Sequence, residues 1–182
     1  MDHGDHVRLL HNGIPGPGGL WADFGSGTGA FTLALADLIE PDGEIISIDQ
    51  NRGALHQQEQ AMRVQFPAVT VHYRAADFTR PLDLPPLDGI VMANSLHFIR
   101  DKLPVLNLIK RYLAPGGRLI LVEYDTDQGN RWVPYPLSYG QWEALAGRAG
   151  FLRTTAIATR ASSFLGRFYA ALSLLANPGE ID

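Results

Sequence analysis

Three glycines within five positions, Gly25, Gly27 and Gly29, stand between a short apolar run and a stretch of helical periodicity, and few folds accept that arrangement. Leu20 to Phe24 reads as a strand carrying an acid, Asp23, just before the turn. Only Ser26 and Thr28 separate the glycines, so nothing bulky interrupts the turn. Glycine adopts backbone angles that other residues avoid and leaves the main chain open to a ligand. From Ala30 onward, Phe31, Ala34, Leu35 and Leu38 recur at i, i+3, i+4 and i+7, which predicts a helix whose first amides point back into the loop. Gly25, Gly27 and Ala30 satisfy the dinucleotide spacing G-x-G-x-x-G/A, but Gly29 adds a third glycine and makes the stretch D-F-G-S-G-T-G.

Strands and helices then alternate. Pro41-Asp42-Gly43 is a turn, and Glu44 to Ile48 is an apolar strand ending at Asp49, 24 residues after Gly25. An acid there is placed to accept hydrogen bonds from the ribose hydroxyls of an adenosine. Residues 51–66 carry Leu55, Met62 and Phe66 on one helical face, and Val69 to Tyr73 alternates as a third strand leading to Asp77-Phe78. Three prolines between Pro81 and Leu87 exclude a regular helix. Asp88 to Ala93 is a continuous apolar strand of the kind buried on both faces, followed by Asn94-Ser95-Leu96-His97. Asp101 is the expected N-cap of a helix with Pro104 in its first turn and Leu106, Ile109 and Leu113 inward. Arg118 to Tyr124 is a fifth strand, containing Glu123. After a loop from Asp125 to Leu137, in which Trp132 and Tyr135 are candidate pocket aromatics, Ser138 and Gln141 form a capping box for a helix stopped at Gly150. Phe151 to Ala158 and Phe168 to Leu174 are strands joined too closely for a parallel crossover, so they pair antiparallel.

The D-F-G-S-G-T-G loop, Asp49 at the second strand end, Asp77-Phe78 after the third and L-A-P-G-G-R-L-I-L-V-E-Y resemble, in order, the motifs of class I S-adenosylmethionine-dependent methyltransferases. The nearest likeness is to small-molecule enzymes of ubiquinone and menaquinone biosynthesis. The resemblance implies an α/β fold, a doubly wound seven-stranded sheet of order 3-2-1-4-5-7-6 with the last strand antiparallel. It implies S-adenosyl-L-methionine as cofactor, with Asp23, Gly25, Ser26, Gly27, Thr28 and Gly29 at its methionyl part. Asp49 and Gln50 then face the ribose, Asp77 and Phe78 the adenine, and Asn94 the region of the methyl group. The implied reaction is in-line displacement onto a small-molecule acceptor. A cofactor-binding protein without catalysis and a methylase of protein side chains are the alternatives. N-S-L-H departs from the N-P-P-Y-like motif of enzymes that methylate amino groups of nucleic acid or protein amides. His97 is a candidate general base, with Glu123 and Asp125 as further candidate proton acceptors, although a leucine-histidine pair at this point in the family often only packs, which is the role expected here.

At 182 residues the chain is expected to form one domain over 1–182, with a short lead-in at 1–19, helical around His6 to His11, and a frayed tail at 176–182. A net charge of −4 supplies no basic field, so nucleic acid is not an expected partner. Without cysteine there is neither a disulfide nor thiolate chemistry. His3, His6 and His11 lack further ligands, so no metal is expected. The first residues lack a signal-peptide layout and no apolar run approaches about 20 residues, so a cytoplasmic protein without membrane association is expected. With so short an N-terminus and no inserted lid, the pocket is expected to be open or completed by another copy of the chain.

Overall fold

The computed structural model describes residues 1–176. Its centre is a seven-stranded sheet of order β3-β2-β1-β4-β5-β7-β6. The strands are β1 Gly19–Phe24, β2 Gly43–Asp49, β3 Thr70–Ala75, β4 Leu87–Ala93, β5 Leu113–Tyr124, β6 Arg153–Ser162 and β7 Gly166–Leu174. The first five are parallel, and β7 runs antiparallel to both β5 and β6. This is the expected order, reversed strand included. The tail expected at 176–182 lies, from 177 on, outside the described residues.

The central strands are largely apolar on both faces because alternate residues face two separate cores. Ala22, Phe24, Ile46, Ile48, Ile90, Met92, Leu119 and Leu121 point to one face, covered by α4 (Leu103–Lys110) and α5 (Tyr139–Arg148). Trp21, Ile45, Val91, Ala93, Ile120 and Val122 point to the other, under α1 (His3–His11), α2 (Ala30–Ile39) and α3 (Arg52–Gln65).

Several local expectations are corrected. α1 begins at His3 because Asp2 and Asp5 form a reciprocal capping box, which carries the helix a turn further than its apolar residues mark. Asp101 does not cap α4: the N-cap position is Lys102, without a side-chain cap, and its Nζ instead donates to the carbonyls of Ile99 and Tyr135. Leu113 is not on that helix but opens β5, paired with Leu87 before the register shifts at Gly89. Ser138 takes the N-cap position of α5 without the expected box, and the Tyr139 amide donates to Asp125 Oδ1 at 3.0 Å. The hairpin is tighter than expected, since pairing continues out to Ser162 opposite Gly166.

Gly89 sits where β4 passes beneath the Trp21 ring, and a methyl group there would overlap the indole. Trp21 is 1% exposed, so its ring is held by the surrounding core. Gly89→Ala should therefore lose about 1–3 kcal/mol of stability, whereas Gly140→Ala in α5, where a Cβ meets nothing within 4 Å, should be neutral or stabilising by up to about 1 kcal/mol. Urea unfolding of the two variants checks the pair.

Candidate functional site

The loop after β1 is shaped by its own backbone and by the strand beside it. The amides of Gly25 and Ser26 both donate to the Ile48 carbonyl, at 2.8 and 3.1 Å. Gly27 and Gly29 lie at φ 55° and 92°, in the left-handed region that a side chain resists. A Cβ at Gly29 would collide with Gln58, but one at Gly27 would meet nothing within 4 Å, so the loop presents open main chain at Gly27. Asp49 ties the loop to β2. Its Oδ2 accepts the Gly27 amide at 2.8 Å and its Oδ1 accepts the Asn51 amide at 2.7 Å.

Beneath the loop is a buried polar cluster. The Ser47 hydroxyl lies 2.7 Å from Ser26 Oγ and 2.9 Å from Gln58 Oε1. Gln58 is fully buried and its Nε2 has no partner. Asp23, 1% exposed, accepts the Thr32 hydroxyl at 2.7 Å. Burial pushes its carboxyl up to about 7, against the lowering effect of the Thr32 hydrogen bond, and the nearby charge of Asp49 raises it further.

A cavity of about 240 Å³ opens above the carboxyl ends of β2, β1 and β4, and brings together Gly25, Asp49, Gln50, Phe78 and Asn94 from the sequence-selected residues. Phe78 stacks on Phe24 with ring centroids 6.1 Å apart. Asn94 is held at φ 53°, and its Oδ1 is buried without a partner. Other selected residues do not line this cavity. Asp23 and Ser26 lie below the loop and Thr28 is exposed. Asp77 turns to the Thr79 amide and hydroxyl at 2.9 and 2.6 Å, and the hydroxyl bond lowers its pKa. Ser95 also lines it, next to Asn94 in the stretch that the sequence placed after the fourth strand, together with Thr79, Phe98 and Ile99, which escaped the sequence reading. Phe98, 59% exposed, was the detectable one, an aromatic following a polar strand end.

His97, Glu123 and Asp125 form two further groups. Glu123, 1% exposed, accepts the amides of Leu96 and His97 through Oε1, each at 3.1 Å, and lies 2.7 Å from His97 Nδ1 through Oε2. One carboxylate thus organises the 3₁₀ turn Leu96–Phe98, and His97 is itself buried. Asp125 is committed to capping α5 through Oδ1 and to Arg167 Nη2 at 2.6 Å through Oδ2.

The profile of a family described as a methyltransferase domain matches residues 22–119. The ubiquinone/menaquinone biosynthesis C-methyltransferase UbiE of Pasteurella multocida (strain Pm70) is 32% identical over 104 residues, covering 56% of this chain and 38% of that protein. The chain spans about two fifths of the length of the curated relatives it matches. Among solved structures, the N-methyltransferase NodS from Bradyrhizobium japonicum WM9 superposes with a TM-score of 0.76 at 18% identity, covering 96% of each chain. The N-terminal domain of EvdMO1, described with SAH bound, superposes with a TM-score of 0.71 at 21% identity, covering 96% of this chain and 82% of that one.

Asp23 makes stability depend on pH in a direction opposite to that of most carboxylates. Its folded-state pKa lies above the unfolded one, so between about pH 4 and 7 the unfolded chain releases a proton that the folded chain keeps, and stability falls as pH rises across that window. Asp23→Asn keeps an acceptor for Thr32 and removes the ionisation. Its stability relative to the natural chain should therefore improve from pH 4 to 7, by at most about 4 kcal/mol, as read from denaturant midpoints across that range. A flat difference would contradict this account of Asp23.

Proposed function

The chain belongs to the methyltransferase-domain family, which residues 22–119 match, and we propose that it transfers a methyl group from S-adenosylmethionine to a small-molecule acceptor. The observation that carries this reading is the cavity where Gly25, the Asp49 carboxylate and the Phe78 ring meet on one sheet edge, with Asp49 also holding the amide of Gly27, whose main chain is open. The residues present fit the donor: an unobstructed glycine backbone, an acid one strand away and a buried, unpartnered Asn94 Oδ1. S-adenosylmethionine supplies an already activated sulfonium methyl, so the protein's contribution is chiefly alignment and exclusion of water.

Asp49 holds the ribose in this reading. A carboxylate offers about four lone-pair sites, and the Gly27 and Asn51 amides use two, leaving acceptors for two hydroxyls while the loop stays anchored. Phe78 serves the adenine, its ring bounding the plane, while Asp77 stands at the margin with Oδ1 engaged by Thr79 and only Oδ2 left to accept from the amino group. Asn94 Oδ1 accepts from a donor group of the bound molecules. Glu123 and His97 shape the turn that carries Asn94 and Phe98, and Asp125 fixes the start of α5. The name of the curated relatives favours a carbon atom as acceptor.

Calorimetry tests the reading. S-adenosylmethionine and S-adenosylhomocysteine should bind and NAD should not, and tight NAD binding with neither methionine compound retained would sink the proposal. Asp49→Ala should weaken S-adenosylhomocysteine about 10- to 100-fold, since hydrogen bonds to a charged group are worth roughly 1.5–3 kcal/mol. Unchanged affinity would remove Asp49 from the site.

For His97, the buried contact with Glu123 supports a positioning role. With an acceptor in hand, His97→Asn should change the methylation rate by less than about tenfold and leave the shape of the pH–rate profile alone. A loss beyond about 10³-fold with cofactor affinity intact would make His97 the general base.

A further inference from the structure

A second cavity, of about 670 Å³, lies beside the first on the same sheet edge. Its walls come from the ends of β4, β5, β6 and β7, through Asn94, Tyr124, Arg160, Ser162 and Phe168, and from Met1 ahead of α1. Asn94 lines both cavities. Because the sheet order runs β2-β1-β4-β5-β7-β6, the glycine-loop cavity occupies one side of the edge and this one the other, with the end of β4 between them. In-line displacement requires the attacking atom on the side of the methyl carbon opposite the sulfur. A donor seated over β2 and β1 and reaching β4 leaves the β5-β7 side to the acceptor.

The lining defines a chemistry. Tyr124 and Phe168 lie with ring centroids 4.2 Å apart, and Phe164 meets Tyr124 edge-on at 6.0 Å. Phe168 is buried and Tyr124 half-buried, so the packed pair offers one aromatic surface, which favours a flat occupant. Among the described residues Arg160 is the one charged side chain lining the cavity, and no carboxylate lines it. Arg160 Nη2 donates to Asp5 Oδ2 at 2.9 Å, and the buried Asp5 is shared with Arg8, so one carboxylate serves two guanidinium groups. The Asp2 carboxylate is occupied in capping α1. A guanidinium has five N–H donors. Besides the Asp5 contact, Arg160 makes, among the described residues, only a long one to the Ala161 carbonyl at 3.4 Å, so donors remain for a ligand.

We propose that this second cavity is the acceptor site and that it takes a planar aromatic or conjugated small molecule bearing an anionic group, the plane against Tyr124 and Phe168 and the anion on Arg160. This rests on the methyl-transfer reading and goes beyond it in assigning the site and the substrate class. The proposal also gives Asp5 a role. By sharing its charge between Arg8 and Arg160, it fixes the guanidinium at the rim and joins α1 to the hairpin across 155 residues of sequence.

The probe is 2-naphthoate, with its neutral isostere 2-naphthamide and the non-planar cyclohexanecarboxylate as comparisons, titrated into protein with and without saturating S-adenosylhomocysteine. 2-Naphthoate should bind at least about tenfold more tightly than either comparison compound, the scale of one hydrogen bond to a charged group. Arg160→Gln should abolish the preference for acid over amide. Asp5→Asn, which breaks the same contact with α1 but keeps the guanidinium, should retain it. Equal affinity for acid and amide, a preference that survives in Arg160→Gln, or equal loss in both variants would overturn the proposal, as would absence of 2-naphthoate binding in both titrations. Failure of S-adenosylhomocysteine to bind would count against the methyl-transfer reading, while the titration without it would still decide what the cavity takes.

Discussion

Burial of the sheet on both faces is the constraint from which the remaining architecture follows. With α1, α2 and α3 on one side and α4 and α5 on the other, the central strands bury nearly everything they carry, and their few polar side chains, Asp23, Ser47 and Glu123, lie toward their carboxyl ends. Polar groups that must meet a ligand can gather only where the strands end, and here they gather at the carboxyl edge. Asp49, Asn94, Glu123 and Asp125 all stand at or just beyond the ends of β2, β4 and β5. The opposite edge carries Pro15 to Gly19 and Pro115 to Gly117, chain that turns between elements. The candidate chemistry is therefore a consequence of topology before any individual residue is considered.

Three buried acids show how environment, and not residue type, decides what a carboxylate does at this edge. Asp23 has one hydroxyl for compensation, and burial pushes its carboxyl up to about 7, the range in which a carboxyl can stay protonated. Asp5 faces two guanidinium groups, and the Arg160 contact holds it well below the usual carboxylate range. Glu123 accepts two backbone amides while lying against an imidazole, which makes it a structural hub for the turn after β4. Replacing any of these acids with a neutral side chain would disturb a different property: pH dependence for Asp23, attachment of α1 for Asp5, and the path of residues 94–98 for Glu123.

The parts legible in the sequence are those written in local patterns. The glycine loop, the apolar strands, the acid ending β2 and the closely joined final strands each occupy a short window, and the observed sheet order agrees with them. What stayed hidden depends on partners far apart in the chain. Asp101 looked like a cap because a short polar residue before a helix usually is one, whereas Lys102 takes the N-cap position and reaches the Tyr135 carbonyl 33 residues away as well as that of Ile99. Asp125 was a candidate base from its position after β5, but its oxygens serve a helix start 14 residues away and an arginine 42 residues away. Gln58 reads as an ordinary polar position on an exposed helix, and only folding places it under Gly29. No periodicity marks such pairs, because their spacing is set by the sheet order and not by the helix or strand repeat.

Asn94 combines the local and the distant. A non-glycine residue at φ 53° costs of order 1–3 kcal/mol unless its surroundings impose the conformation. The surroundings do so on both sides: the Asn94 amide donates to Val122 at 2.9 Å, and the next side chain, Ser95, donates to the Phe24 carbonyl at 2.8 Å. Glu123 then pins the following two amides. This turn could relax only by giving up hydrogen bonds to both neighbouring strands, so the strain is held in place. What it achieves is the placement of Asn94 at the boundary between the two cavities, with its side-chain carbonyl oxygen buried and unpaired. A glycine would reach the same backbone angles without strain but would leave the boundary without an acceptor. The conformation and the side chain at position 94 therefore make sense together, as a fixed polar point between two cavities.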